Sequence, residues 1–306
     1  MMPFLYFAIA DTVIAPVDPG MVFVHEWGVV ELDLAFPEAL GSRWGYLGGD
    51  GMLDPWTEYE VEAPVVWFHG AECTGTLKIE ARQGYFTTLY PYPDSLFRVV
   101  GERMMSPGNG GQTAVWREVT VSREMPELEE SLPVAGEMGG FAWAVPFWRE
   151  VDANYVSIPG SSFLDSFIYY ECTAGDIPGL DHECSERPMT YGYTGEALLF
   201  TPSGEDISAS LVQVDEGLEI LSRDLAGPEM MAVICGWGGE LKSHELQVLW
   251  RTWEPAIRTR CLRGGERVLV FPLTPEQTGS VSTLEFKPDD GRDVSYVRLF
   301  LGLGSI

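Results

Sequence analysis

The sequence predicts a mainly β fold made of antiparallel β-sandwich units, with one substantial helix near residues 240–260. Three observations carry this expectation. Period-2 alternation of apolar and polar residues returns along most of the chain, turn signals punctuate it at near-regular spacing, and only one stretch shows a long 3.6-residue stripe. The chain has 306 residues, enough to bury a sizeable core as two domains or one large β-rich unit.

The elements follow in order. Residues 1–10 read as the tail of a secretory signal, truncated because the basic segment that normally begins one is missing. Ala8-Ile9-Ala10 fits the small-x-small cleavage pattern and would leave Asp11 as the first mature residue. Next comes the apolar run around His25-Glu26-Trp27-Gly28, flanked by Met21-Val22-Phe23-Val24 and Val29-Val30, which reads as a core strand interrupted by a titratable pair. Ala63-Pro64-Val65-Val66-Trp67-Phe68 is a short continuous apolar run, as expected of a strand buried on both faces. Leu77, Ile79 and Ala81 alternate with Lys78, Glu80 and Arg82; Gly84 then breaks the strand, and Tyr85-Phe86-Thr87-Thr88-Leu89-Tyr90 is expected to return as its hairpin partner. Further strands are expected at 115–121, 151–158 and 163–171.

Segments 101–111 and 125–140 are rich in Gly, Pro or Glu and read as long loops, one of them a place for function. After 191 a second hairpin series follows at 197–200, 208–214 and 218–222, turning at Asp215-Glu216-Gly217. Leu246, Leu249, Trp250, Trp253 and Ile257 form the single helical stripe, with Pro255 set to kink it or start a new turn. Strands at 267–271, 281–287 and 294–301 close the chain, the last two joined by Pro288-Asp289-Asp290-Gly291. The natural seam is the loop 172–190, which divides an N-terminal β-sandwich unit, 11–175, from a C-terminal β unit with the helix, 190–306. A single sandwich with inserted loops fits the same pattern.

Composition narrows the function classes. With 46 acidic against 19 basic residues the formal charge is −27, which repels phosphate backbones and anionic lipid and argues against nucleic-acid partners. No apolar run is long enough for a membrane span, which takes roughly 18 residues or more. Clustered acids raise calcium as a ligand, yet no Asp-x-Asp-x-Asp-Gly loop ending in Glu occurs; Asp50, Asp54 and Glu58 come nearest and read as a solvated loop. The five cysteines, Cys73, Cys172, Cys184, Cys235 and Cys261, offer two readings. A Cys172–Cys184 disulfide would staple a turn-rich loop by roughly 3 kcal/mol and suits an exported protein. Alternatively Cys172, His182 and Cys184 with His69 or Cys73 would hold zinc, although their spacing matches no common finger.

Several short blocks occur in the order seen in a group of uncharacterised exported bacterial proteins that open with a His-Glu-Trp-Gly strand. They are His25-Glu26-Trp27-Gly28, Glu62-Ala63-Pro64-Val65-Val66-Trp67-Phe68, Tyr90-Pro91, Trp116-Arg117-Glu118-Val119, Arg149-Glu150-Val151-Asp152-Ala153 and Phe167-Ile168-Tyr169-Tyr170. The chain resembles that group over nearly its whole mature length, departing at Val29, where Thr is usual, and at Glu171, where Arg is usual. The resemblance implies export to an extracytoplasmic site, periplasmic or secreted, and a β-rich fold, and implies no reaction.

On a strand His25 and Glu26 point to opposite faces, so they do not share a pocket. Either His25 works with His69 and a carboxylate such as Asp152 on a metal or in acid–base chemistry, or His25 or Glu26 belongs to a buried network with an Arg such as Arg149. Nucleophile elbows and phosphate-binding loops are absent. Aromatics in a Gly-rich segment, Trp44, Tyr46, Trp56 and Tyr59, are candidates for stacking on sugars, with core packing as the plainer alternative. Three hypotheses result: an exported non-catalytic protein that binds a protein or glycan through its loops, which the sequence favours; a metal-dependent hydrolase centred on His25 and His69; and a structural envelope or assembly subunit.

Overall fold

A computed structural model describes residues 20–32, 59–98, 111–125, 139–161, 163–175, 177–180, 190–215 and 217–306. Fifteen strands run in order among the described residues: β1 (Val22–Glu31), β2 (Tyr59–Gly70), β3 (Cys73–Ala81), β4 (Phe86–Tyr90), β5 (Ser95–Arg98), β6 (Gln112–Ser122), β7 (Tyr155–Ser157), β8 (Leu164–Asp165), β9 (Ile168–Ala174), β10 (Gly195–Ser203), β11 (Asp206–Val214), β12 (Leu218–Ser222), β13 (Val268–Pro272), β14 (Ser282–Pro288) and β15 (Val294–Ser305). The helices are α1 (Val145–Trp148), α2 (Gly227–Gly238), α3 (Ser243–Thr259) and α4 (Pro275–Val281). Among the described residues strand exceeds helix, 49% to 21%, so the fold is mainly β as the alternation predicts.

Two sheets form the frame. A nine-stranded sheet has the order β12-β11-β10-β13-β15-β1-β2-β9-β4, and a six-stranded sheet contains β14-β3-β6-β7-β8 with β5 beside β6. β1 lies near the middle of the larger sheet, parallel to β15 and antiparallel to β2. Its Val-rich sequence suits a strand buried on both faces, and nearly every residue of it is buried. The two faces of β1 meet different layers. Trp27 packs edge-on against Trp148 of α1, and Val29 lines a small void with Trp253 of α3, so this face is covered by helices. Opposite, Phe68 of β2 packs edge-on against Phe286 of β14, and Tyr170 reaches Ser282, so this face is covered by the smaller sheet.

This topology adjusts several expectations. The seam at 172–190 does not separate two sheets: strands from both sides of it share the nine-stranded sheet, because β15 at the end of the chain pairs with β1 at its start. The hairpin expected across Gly84 does not form. β3 joins the smaller sheet while β4 pairs with β9 in the larger one, and Gly84 is where the chain changes sheets. A Cβ at Gly84 would lie 1.8 Å from the carbonyl oxygen of Thr173. Only glycine allows this approach.

The helix expected near 240–260 is α3, and a π-turn at Arg260–Gly264 extends it to a helical run of 22 residues through Pro255. α2, which carries no long apolar stripe, lay outside the sequence expectation; it buries Met230, Met231 and Ile234. No helix among the described residues is long and apolar enough to cross a membrane. An apolar void of about 10 Å³ lies between α3 and the sheet, lined by Phe200, Trp250 and Trp253 among others. It has room for a single water at most.

Candidate functional site

Strand alternation divides the His25-Glu26 pair, as the sequence predicts, and gives each residue a different fate. Glu26 enters the layer between the sheets and is fully buried. There it accepts a hydrogen bond from the Tyr170 hydroxyl at 2.7 Å and a close ion pair from Arg298 Nε, while Arg298 also donates to the carbonyl oxygen of Ser282 at 2.9 Å and its Oγ at 2.7 Å. Burial and the Glu26 charge beside it drive the Tyr170 hydroxyl well above its ordinary range. The buried-network expectation thus holds for Glu26, with a different arginine. Arg149 pairs instead with Asp165, at 2.6 Å, and Tyr90 completes that second network at 3.1 Å. Arg298 sits directly beside Glu26 in the parallel β1–β15 register, which the sequence does not disclose.

His25 enters the helical layer. The β1–β2 register sets Phe23 opposite His69, so His25 and His69 are diagonal neighbours on one face, their ring centroids 4.5 Å apart. The third member is Glu245, at the third position of α3. Its carboxylate turns back to accept the N-cap amide of Lys242 at 2.6 Å, a capping interaction that fixes its rotamer and places it at the positive end of the helix. The same carboxylate receives His25 Nδ1, at 3.0 and 3.1 Å from its two oxygens, and His69 Nε2 at 2.8 Å. All three side chains are buried, Glu245 completely. Lys242 Nζ lies 3.0 Å from His69 Nδ1 and donates to the Asp152 carbonyl oxygen at 2.7 Å.

The hydrogen-bond inventory fixes the protons. Burial tends to push the Glu245 carboxyl up, but the bonds from His25 and His69 outweigh it and hold it down at about 2, so it is an acceptor only. Each imidazole atom facing it therefore carries a hydrogen. An ammonium has no acceptor, so His69 Nδ1 bears the lone pair and Nε2 the proton. Burial lowers the pKa of His69, which keeps it neutral in this role. His25 likewise carries its proton on Nδ1. His25 Nε2 has no hydrogen-bond partner among the described residues.

The other sequence candidates fall elsewhere. Asp152 contributes its backbone carbonyl, not its carboxylate. Cys172 is a buried free thiol whose electrostatic neighbours are Glu26 and Arg298, on the face of the sheet opposite His69, and its expected partner Cys184 lies outside the described residues. The zinc set expected from sequence is therefore not gathered around His69. Cys73 faces Arg292, Asp289 and Asp290, and burial raises its thiol to about 11. His182, Trp44, Tyr46, Trp56, Asp50, Asp54, Glu58, residues 1–10 and most of the two long segments, 101–110 and 126–138, also lie outside the described residues. Tyr59 is a core residue at 2% exposure rather than a stacking surface.

Two members of this cluster escaped the sequence, Glu245 and Lys242. Glu245 had a signal, since it stands four residues before Leu249 and so lies on the apolar stripe, where a carboxylate needs a partner. A second acidic group, Glu31, Glu60 and Glu62, lies at the far end of β1 and β2 with Arg260 2.7 Å from Glu31. Burial, then the charges of Glu31, Glu171 and Glu60, raise Glu62 to about 8. Comparison of the chain with protein-family profiles, with curated proteins and with solved structures found no match.

Proposed function

We propose that the chain is an extracytoplasmic enzyme of hydrolytic, acid–base type, in which His25 Nε2 accepts the proton and the buried Glu245 carboxylate orients the ring. The observation that carries this reading is the asymmetry of His25: Nδ1 is held by an ionised, fully buried carboxylate, and Nε2 has no hydrogen-bond partner among the described residues. That is the division of labour a general base requires, with one nitrogen fixed in its tautomer and the other free to take a proton from water or a hydroxyl. His69 and Lys242 serve as positioning residues, because they fill the remaining lone pairs of Glu245 and leave His25 as the group with unused capacity. The formal charge of −27 favours a neutral or cationic substrate over a phosphoester. Export rests on Ala8-Ile9-Ala10 and on the resemblance described above.

The test needs no knowledge of the substrate. A histidine-selective acylating reagent should modify His25 at Nε2, and Glu245→Gln should slow that reaction at least about tenfold relative to the partly exposed His244, because the tautomer is no longer enforced. Equal rates at His25 in wild type and Glu245→Gln would remove the basis of the proposal.

A second reading, binding of a protein or glycan through exposed surface, is favoured by one observation. Tyr92, just before β5, and Phe97, on it, are 71% and 52% exposed at the edge of the smaller sheet. Exposed aromatic rings commonly dock partners.

A further inference from the structure

His25, His69 and Glu245 offer one ligand atom each, all within 4.8 Å of one another, from three separate elements, β1, β2 and α3. We propose that this cluster binds one divalent transition-metal ion of the zinc class, through His25 Nδ1, His69 Nε2 and Glu245, and that the bound ion switches off the His25 base. The inference rests on the reading that this centre, rather than the loops, carries the function.

The donor set suits such an ion: two imidazole nitrogens and one carboxylate are a common three-ligand arrangement around zinc, with a fourth position for water. The distances suit it as well. Zinc–ligand bonds of about 2.05 Å in a tetrahedron set ligand atoms roughly 3.3 Å apart. The two histidine–carboxylate separations, 2.8 to 3.1 Å, fall only a little short of that, and the two imidazole nitrogens lie within 4.8 Å of each other. The ion would enter where two hydrogens now lie, drawing the two imidazole nitrogens in around the carboxylate. The fully buried carboxylate supplies one negative charge to offset the incoming cation.

Proton bookkeeping supplies the switch. A nitrogen that now carries hydrogen must surrender it to become a ligand, and a neutral imidazole then holds that proton on its other nitrogen. In His25 the proton moves from Nδ1 to Nε2, which consumes the lone pair assigned to the base. In His69 it moves to Nδ1, which faces the Lys242 ammonium 3.0 Å away. Two donors cannot share that contact, so loading requires Lys242 to withdraw into solvent, as its half-buried place at the start of α3 permits. Lys242 is therefore a gate: it opposes the ion by its charge and by its hold on His69.

Titration of chelator-treated protein with Co(II), followed by visible absorption, and with Zn(II), followed by calorimetry, tests the proposal. The expected result is one ion per chain, a cobalt spectrum typical of nitrogen-containing tetrahedral sites, and loss of His25 acylation in step with zinc added. Lys242→Met should bind at least about tenfold more tightly, as expected from removing one like charge close to the ion. Because this variant gains affinity, its behaviour cannot be mistaken for misfolding. Absence of saturable binding in both wild type and Lys242→Met overturns the inference, as does binding abolished by Glu62→Gln and unaffected by His69→Gln, which would place the ion at the acidic group on β1 and β2. Neither result touches the metal-free acylation experiment, so failure here is distinguishable from failure of the acid–base reading.

Discussion

Arg298→Met removes the one cation among the described residues that pairs with the fully buried Glu26 carboxylate, and its cost can be worked from the geometry. Glu26 has no exposure and the Arg298 side chain is 17% exposed, so solvent screens the pair weakly. Two unit charges about 4 Å apart attract by about 4 kcal/mol at an effective dielectric of about 20, which agrees with the ~3–5 kcal/mol found when one partner of a buried pair is deleted. Tyr170 can still donate to Glu26, but one neutral bond does not replace the lost cation. For 306 residues a loss of about 4 kcal/mol lowers the melting temperature by about 6 °C. Scanning calorimetry of wild type, Glu26→Gln, Arg298→Met and a Glu26→Met/Arg298→Met double variant is the assay. The double variant should recover much of the loss, since it strands no charge. Melting of Arg298→Met within about 1 °C of wild type would refute a buried, ionised Glu26 dependent on this arginine.

Glu62, raised to about 8 from an ordinary 4.5, binds a proton on folding at intermediate pH. Stability should therefore fall as pH rises from about 4.5 to 8, by at least about 1 kcal/mol for this shared acidic group, and Glu62→Gln should flatten that slope in urea midpoints read across the range. Gly84→Ala drives a methyl into the Thr173 carbonyl and should cost about 2 kcal/mol or more, measured by the same midpoints. Export predicts that N-terminal sequencing of native protein begins at or just after Asp11, and recovery of intact Met1 from a cytosolic fraction would contradict it.

The legible part of the fold was the part set by local pattern. Period-2 alternation in β3, the Val-rich run of β1 and the stripe of α3 each follow from residues a few positions apart. Sheet membership was not legible, because it depends on distant pairings: β15 beside β1, and β3 leaving β4 at Gly84 for a different sheet. The candidate site divides the same way. The opposite facing of His25 and Glu26 follows from strand geometry alone, and His69 was within reach as a polar end to an apolar strand. Arg298 and Lys242 were hidden, since their partners lie 272 and 173 residues away in sequence. Glu245 stood between the two cases: its place on the apolar stripe marked it as buried, but its partners could be named only once α3 was laid across β1 and β2.

All of the proposed chemistry depends on Glu245 fixing His25 with its proton on Nδ1 and its lone pair on Nε2. Long-range ¹H–¹⁵N correlation spectra of chelator-treated protein read imidazole tautomers directly, and with only four histidines, His25, His69, His182 and His244, single His→Gln variants complete the assignment. The expected pattern at neutral pH is a protonated Nδ1 for His25 and a protonated Nε2 for His69, the His25 pattern being lost in Glu245→Gln. A His25 ring protonated on Nε2 instead, or one averaging between tautomers as in free imidazole, would contradict it.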